Sequence, residues 1–307
     1  MKVKDIERVI FTPGLSRESL TSDYYAIDNT VIVGTTGTGK TTTTQAIVKS
    51  ILDSNEPDTY SLLYLDMTGH ETNPLCNTNR ILSSMTLMRY MKESFPFDTY
   101  AERAEQVIRM LSIAMWWSSR KVPSYDEGEP ERPPKLLVLV IDGFDALDEL
   151  EQKLVFTMMK VCPFVKVIAS AQTAKTFKDF LDLFEYKIVT KVHNALDSDI
   201  VLGCNLGYKQ ADKYGSCWFT SESVPGFYRK YGVKMMSTSL LNRYMKTQAG
   251  YEGAVNSIVE DVEDFQKNAK QVSEWFRKWL NCQYDSFNVY IEKELLTPRR
   301  GGSYEEA

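Results

Sequence analysis

The stretch Gly34-Thr35-Thr36-Gly37-Thr38-Gly39-Lys40-Thr41 satisfies G-x-x-x-x-G-K-[ST] at every position. Few sequence features constrain a fold as tightly. The glycines let a backbone close around phosphate groups, and successive N–H groups at the start of a helix supply positive potential. A lysine then reaches the terminal phosphates, and a hydroxyl-bearing residue binds magnesium. The chemistry requires a strand before the loop and a helix after it. The β-branched run from Asn29 supplies the first, and a helix over about Lys40 to Leu52 supplies the second. Gly34, Thr35, Thr36, Gly37, Thr38, Gly39, Lys40, Thr41 and Thr42 are therefore the expected ATP contacts, with Thr41 on Mg2+ and Lys40 also acting in catalysis.

Strands and helices alternate beyond this point. Ser61 to Asp66, Leu136 to Ile141, Val165 to Ala169 and Tyr186 to Lys191 read as strands, with helices near 100–119, Leu150 to Lys160 and Lys175 to Phe184. Leu136 to Ile141 is uninterrupted and aliphatic, as in a strand buried on both faces of a parallel sheet. The pattern predicts an α/β fold with a mostly parallel, doubly wound sheet flanked by helices. Residues 1–28 form a lead-in, 29–250 the nucleotide-binding core, and 251–307 a helical extension that ends in a disordered tail. In that extension Ile258, Val262, Phe265, Ala269, Val272, Phe276 and Trp279 recur at alternating steps of four and three, the a and d positions of heptads. Such a helix packs on its own core or on a neighbouring subunit.

Composition narrows the class. With 43% hydrophobic and 25% charged residues, the 307-residue chain is that of a globular protein. No apolar run approaches the roughly 18 residues that cross a bilayer, and MKVKDIERVIF lacks the apolar block of a signal peptide. A cytoplasmic protein without a membrane span of its own is expected. Five cysteines without metal-ligand spacing, and only two histidines, point to packing rather than to a disulfide framework or a zinc site. A net charge of −5 argues against a surface coated in positive potential, although a few basic loops inside a ring remain compatible with nucleic acid.

Two further residues complete the expected chemistry. Asp142 ends the aliphatic strand, where a parallel sheet brings it to the same carboxyl edge as the phosphate loop, so it is expected to orient magnesium. Gln172 follows the strand over Val165 to Ala169 and is placed to sense a γ-phosphate or hold an attacking water.

The order of these motifs resembles the FtsK/SpoIIIE/HerA group of DNA-translocating ATPases, over roughly residues 28–227. GTTGTGKT resembles that group's phosphate loop, LLYLDMTG its second strand and VLVIDGFDAL its Walker B segment. VIASAQ resembles a strand that usually ends in Ala-Thr-Gln, HNALDSDIVLG an Asp-Ser-Arg segment, and YGSCWF a glycine turn with a short strand near the motor's end. The resemblance implies a RecA-like motor core that uses ATP and Mg2+.

The chain departs from the group's pattern in places that bear on hydrolysis. Gly143 stands where the group carries the glutamate that polarises water. Thr173 follows the Gln172 motif in place of arginine, Lys187 replaces a strand arginine, and Asp199 replaces the arginine of Asp-Ser-Arg. Some RecA-like ATPases carry the catalytic acid at the end of the strand adjacent to the phosphate-loop strand, the region that Asp66 and Glu71 are expected to occupy here, while Asp145 lies three residues past Asp142. Glu71 and Asp145 are the candidates for a replacement catalytic acid.

The resemblance also implies a homo-oligomer, a hexameric ring with double-stranded DNA in its channel, and membrane-associated partner proteins. Lys175, Lys178 and Arg80 are the candidate contacts to DNA phosphates, which require charge but no base-specific geometry. Two alternatives stand beside this reading. One is an ATP-binding assembly protein with weak or no hydrolysis; the other is a motor of the same type that drives protein secretion.

Overall fold

The computed structural model describes residues 9–16, 21–56, 59–67, 82–83, 136–147, 149–161, 165–210, 215–224 and 226–233. Glu71, Arg80, the helix expected over 100–119 and the heptad helix of the C-terminal extension lie outside these residues.

The strands are β1 (Ile10–Phe11), β2 (Leu15–Ser16), β3 (Tyr25–Ala26), β4 (Thr30–Val33), β5 (Tyr60–Asp66), β6 (Leu82–Ser83), β7 (Leu136–Asp142), β8 (Val165–Ala171), β9 (Tyr186–Val189), β10 (Ser216–Ser221) and β11 (Tyr228–Gly232). Among the described residues the helices are α1 (Lys40–Ser54), α2 (Glu149–Val161), α3 (Ala195–Leu202) and α4 (Leu206–Lys209), with 3-10 segments at Phe144–Ala146 and Ala174–Leu183. Nine strands form one sheet in the order β2-β11-β10-β9-β4-β8-β7-β5-β6. From β9 to β6 every pairing is parallel, whereas β10, β11 and β2 add an antiparallel edge. This is the mostly parallel, helix-flanked α/β core that the sequence predicts.

Position in the sheet follows side-chain chemistry. In β7 every residue from Leu137 to Asp142 is buried, and β4 is buried throughout, as befits strands covered on both faces. Alternate residues serve two cores. Val31, Val33, Leu137, Leu139 and Ile141 face one side with Phe144, Phe156 and Phe177; Ile32, Val138, Val140 and Ile168 face the other with α1. The first turn of helix α1 carries Thr41 to Thr44, poor helix formers kept there by the phosphate loop; the helix is held by the apolar face of Ile47, Val48, Ile51 and Leu52.

The lead-in is built into this core. β1 and β3 pair antiparallel, and the Asn55 side chain at the end of α1 both accepts from Ile10 N (2.7 Å) and donates to Ile10 O (2.8 Å). Phe11 is fully buried, and β2 pairs with β11 at the edge of the large sheet. Strands β1 to β3 thus pack across the division drawn at residue 28, because their apolar residues complete the core that covers α1 and the antiparallel edge.

One expectation about strand order is corrected. β5, which ends in Asp66, is not adjacent to the phosphate-loop strand β4; β8 and β7 lie between them. The crossover through α1 passes over two strand positions, which β7 and β8 fill later in the chain.

Candidate active site

The phosphate loop leaves β4 at Gly34 and is braced by the strands on either side. Gly34 N donates to Ala171 O of β8 (3.2 Å), while Thr35 N and Thr35 Oγ1 both donate to Lys191 O just past β9 (3.1 Å each). Inside the loop, Thr38 Oγ1 lies 2.7 Å from Thr35 O and 2.9 Å from Thr190 Oγ1. Gly34 is obligatory here, since a Cβ on it would stand 1.8 Å from Thr190 Oγ1. Gly37 (φ 71°) and Gly39 (φ 99°) adopt left-handed backbone, and a Cβ on either would meet no atom within 4 Å. Their side-chain positions face open space.

This cradle fits an anion. Helix α1 starts at Lys40 with no side-chain cap at Gly39 and no acid in its first turn, so its leading N–H groups are left for a ligand. Lys40 Nζ donates to Thr35 O (3.1 Å), lying along the loop. Burial lowers the Lys40 pKa, and the charges of Asp145, first, and Asp142 oppose that shift. Thr36 and Gly37 are exposed, and Thr42 is half-buried on the first turn of α1.

Asp142 is fully buried, and hydroxyls fix both of its oxygens. Ser170 of β8 donates to Oδ1, and Tyr64 of β5 donates to Oδ2 (3.2 Å). The Thr41 hydroxyl lies close enough to favour the charged form of this carboxylate, so the two expected magnesium ligands face the same place. Burial raises the Asp142 pKa; the Ser170 and Thr41 hydroxyls oppose it, the Asp66 charge adds to it, and Tyr64 opposes it. Register accounts for the arrangement, with Asp66, Asp142 and Ser170 level on adjacent parallel strands. Among the described residues no three His, Cys, Asp or Glu side chains are grouped to hold a metal by themselves. A hydroxyl and one carboxylate beside a phosphate cradle suit Mg2+, which keeps water and phosphate oxygens in its shell.

At Gly143 the chain turns sharply, with φ 90° and ψ 47°. Gly143 N donates to Ser170 Oγ (3.0 Å), and a 3-10 turn follows over Phe144–Ala146. Phe144 is fully buried against Phe156 and Phe177, at ring-centroid distances of 5.3 and 5.0 Å. Asp145, next in the turn, is half-buried and supplies the leading charge acting on Lys40. Its Oδ2 accepts from Gln172 N (3.4 Å). The structure therefore brings Lys40, Thr41, Asp142 and Asp145 together. Gln172 meets them through its backbone, with its side chain exposed at the end of β8.

Lys175 and Lys178 are exposed on the 3-10 segment after Gln172, alongside exposed Asp179 and Asp182. That segment is capped by Thr173, whose hydroxyl donates to Asp197 (3.0 Å), which also accepts from Ala174 N (2.9 Å). Lys187 is paired with Glu222, away from the phosphate loop.

Sequence reading missed Thr190, Lys191 and Tyr64. A polar pair ending the strand run YKIVTK was the available signal for the first two. A tyrosine hydroxyl inside the aliphatic LLYLD run was the signal for the third.

The FtsK/SpoIIIE family profile matches residues 4–176. No curated protein sequence matches the chain. Among solved structures, the cytoplasmic domain of the Thermomonospora curvata type VII secretion ATPase EccC is similar at 16% identity and a TM-score of 0.59, covering 75% of this chain and 29% of that one. EssC (ATPases 2 and 3) from Geobacillus thermodenitrificans is similar at 13% identity and a TM-score of 0.51, covering 81% and 48%. The pCW3 conjugation coupling protein TcpA, in its monomer form with ATPγS, is similar at 12% and a TM-score of 0.50, covering 79% and 71%. The chain spans less than half the length of the EccC and EssC chains, and at these identities the likeness is one of fold.

Proposed function

The chain belongs to the FtsK/SpoIIIE family of P-loop ATPases, and on that premise we propose that it is an ATP-driven motor that translocates double-stranded DNA as a ring of identical subunits. The observation that carries the reading is the convergence of Lys40, Thr41 and Asp142 at one sheet edge, with Asp145 acting on the same lysine. Gly34 to Thr42 hold the phosphates of ATP, with Lys40 at the terminal phosphates, and Thr41 and Asp142 hold Mg2+. Bound magnesium offsets the charge that develops on the transferring phosphoryl group. Asp145 positions or deprotonates the attacking water in place of the glutamate absent at Gly143. Gln172 closes the γ-phosphate side.

Charge at Asp145 favours turnover over a role in which ATP only locks an assembly together. Lys175 and Lys178, exposed beyond Gln172, are the DNA contacts in this reading. A second reading, transport of a polypeptide, is favoured by Asp179 and Asp182, which balance those lysines on the same segment. ATP turnover measured with and without long duplex DNA distinguishes them. Stimulation by DNA supports the first reading. Turnover indifferent to DNA and raised by an unfolded polypeptide supports the second.

A further inference from the structure

Ser170 occupies a junction that nucleotide binding alone does not explain. Its side chain is fully buried on β8, between the strand of Asp142 and the strand of the phosphate loop. Two hydrogen bonds define its hydroxyl. Gly143 N–H points at Ser170 Oγ (3.0 Å), which occupies an oxygen lone pair, and the hydroxyl proton is given to Asp142 Oδ1. A single hydroxyl thus ties the carboxylate to the backbone turn immediately after it. On the opposite side Tyr64, also fully buried, gives its phenolic proton to Asp142 Oδ2 (3.2 Å). The two donors come from the two strands that flank β7, so rotation of the Asp142 carboxylate would break one bond or both.

We infer that Ser170 and Tyr64 are positioning residues for magnesium, holding the Asp142 carboxylate at the angle that Thr41 and a nucleotide-bound ion require, with Ser170 also fixing the Gly143 turn that carries Asp145. The inference rests on the proposed function, in which Asp142 faces magnesium. Partners of this kind typically change metal affinity by about 10–100-fold when removed. Ser170 makes the shorter bond and serves two groups, so its loss has the larger effect.

The test is a titration of Mg2+ against binding of a fluorescent, non-hydrolysable ATP analogue to the full chain, with a parallel series in EDTA. Ser170→Ala raises the half-saturating Mg2+ concentration by about tenfold, within the range for such partners. Tyr64→Phe raises it by less, and both variants leave affinity in EDTA unchanged. Ser170→Thr, which keeps a hydroxyl, restores the wild-type requirement. An unchanged Mg2+ requirement in both Ser170→Ala and Tyr64→Phe overturns the inference while leaving nucleotide binding intact. Equal losses with and without Mg2+ also overturn it, because they mark a packing role. If the wild-type chain shows no Mg2+-dependent signal, the proposed function falls and the inference with it. Tyr64→Phe deletes one oxygen from an otherwise unchanged ring, so it remains informative should Ser170→Ala fail to fold.

Discussion

Thr38 and Thr190, 152 positions apart in sequence, place their hydroxyl oxygens 2.9 Å from each other beneath Gly34. The phosphate loop is therefore shaped by β9 as well as by its own glycines. Gly34→Ala is expected to abolish nucleotide binding, because the added methyl cannot coexist with Thr190 Oγ1 at 1.8 Å. Thr190→Ala removes that oxygen, leaves Thr38 Oγ1 at 2.9 Å and Thr190 Cβ at 3.1 Å, and is expected to recover part of the binding in the double variant. Titration of ATP analogue against the four combinations checks this. Strictly additive losses would mean that the two residues do not meet.

Lys40→Ala is expected to remove the stabilisation that ATP confers in thermal melting, since a ligand bound only by the native state raises its stability by mass action. At a ligand concentration of about 100 times Kd this stabilisation is about 2.7 kcal/mol. Thr41→Ala and Asp142→Asn should lose the part that depends on Mg2+. A Lys40→Ala protein that still shifts fully with ATP would contradict the assignment of the phosphate loop.

The legible part of the site was the part written in consecutive residues. The spacing from Gly34 to Thr41 carries its own chemistry, and the apolar run before Asp142 marks a strand buried on both faces. Strand order is harder to read, because the α1 crossover passes over two positions that later segments occupy, and the places beside β4 belong to β8 and β9 rather than to the strand of Asp66. Ser170 and Thr190 were harder still to place at the site. A buried hydroxyl in a strand or just past one looks like a substitute for alanine until its partner, 28 or 152 positions away, is known. Asp145 could be named as a candidate but not chosen, because its placement depends on the left-handed backbone at Gly143 and on Phe144 filling the core.

Acid should release the lead-in from the antiparallel edge. Asp23 accepts from Tyr231 OH (2.8 Å) and pairs with Arg229 on β11. Burial alone would raise its pKa, but these two partners outweigh burial and hold it below the ordinary value of 3.8. A carboxyl whose folded pKa is depressed adds stability above its unfolded pKa, and that stability is lost as pH falls through the folded value. The melting-temperature difference between wild type and Asp23→Asn is thus expected to be full at about pH 6 and to close below about pH 4, around the ordinary carboxyl range. A difference independent of pH would show that the ion pair does not stabilise the fold.

If Lys175 and Lys178 meet DNA phosphates, affinity for duplex DNA should fall steeply with salt, and neutralising either lysine should reduce the slope of log K against log salt by about one. Arg80 carries the same expectation. Binding isotherms at several salt concentrations decide it. A flat response leaves these side chains as solvated surface charges and favours the polypeptide reading.

Hydrolysis provides the sharpest test, because Gly143 and Asp145 make opposing predictions about where the acid lies. If Asp145 handles the attacking water, Asp145→Asn should reduce turnover by ~10²–10⁴, the usual contribution of a positioned acid or base, and leave ATP affinity nearly unchanged. Gly143→Glu would introduce the glutamate that the family resemblance implies at this position, but at φ 90° a residue with a Cβ is strained by roughly 1–2 kcal/mol. Relief of that strain would unwind the turn, breaking the Gly143 N–H bond to Ser170 and withdrawing Asp145 from Lys40. The substitution should therefore lower turnover, and Gly143→Ala, which brings the strain without a carboxylate, should lower it comparably. A large gain in Gly143→Glu together with normal turnover in Asp145→Asn would refute the assignment of Asp145. Glu71→Gln, outside the described residues, and an acid supplied by an adjacent subunit would then be the next variants to measure.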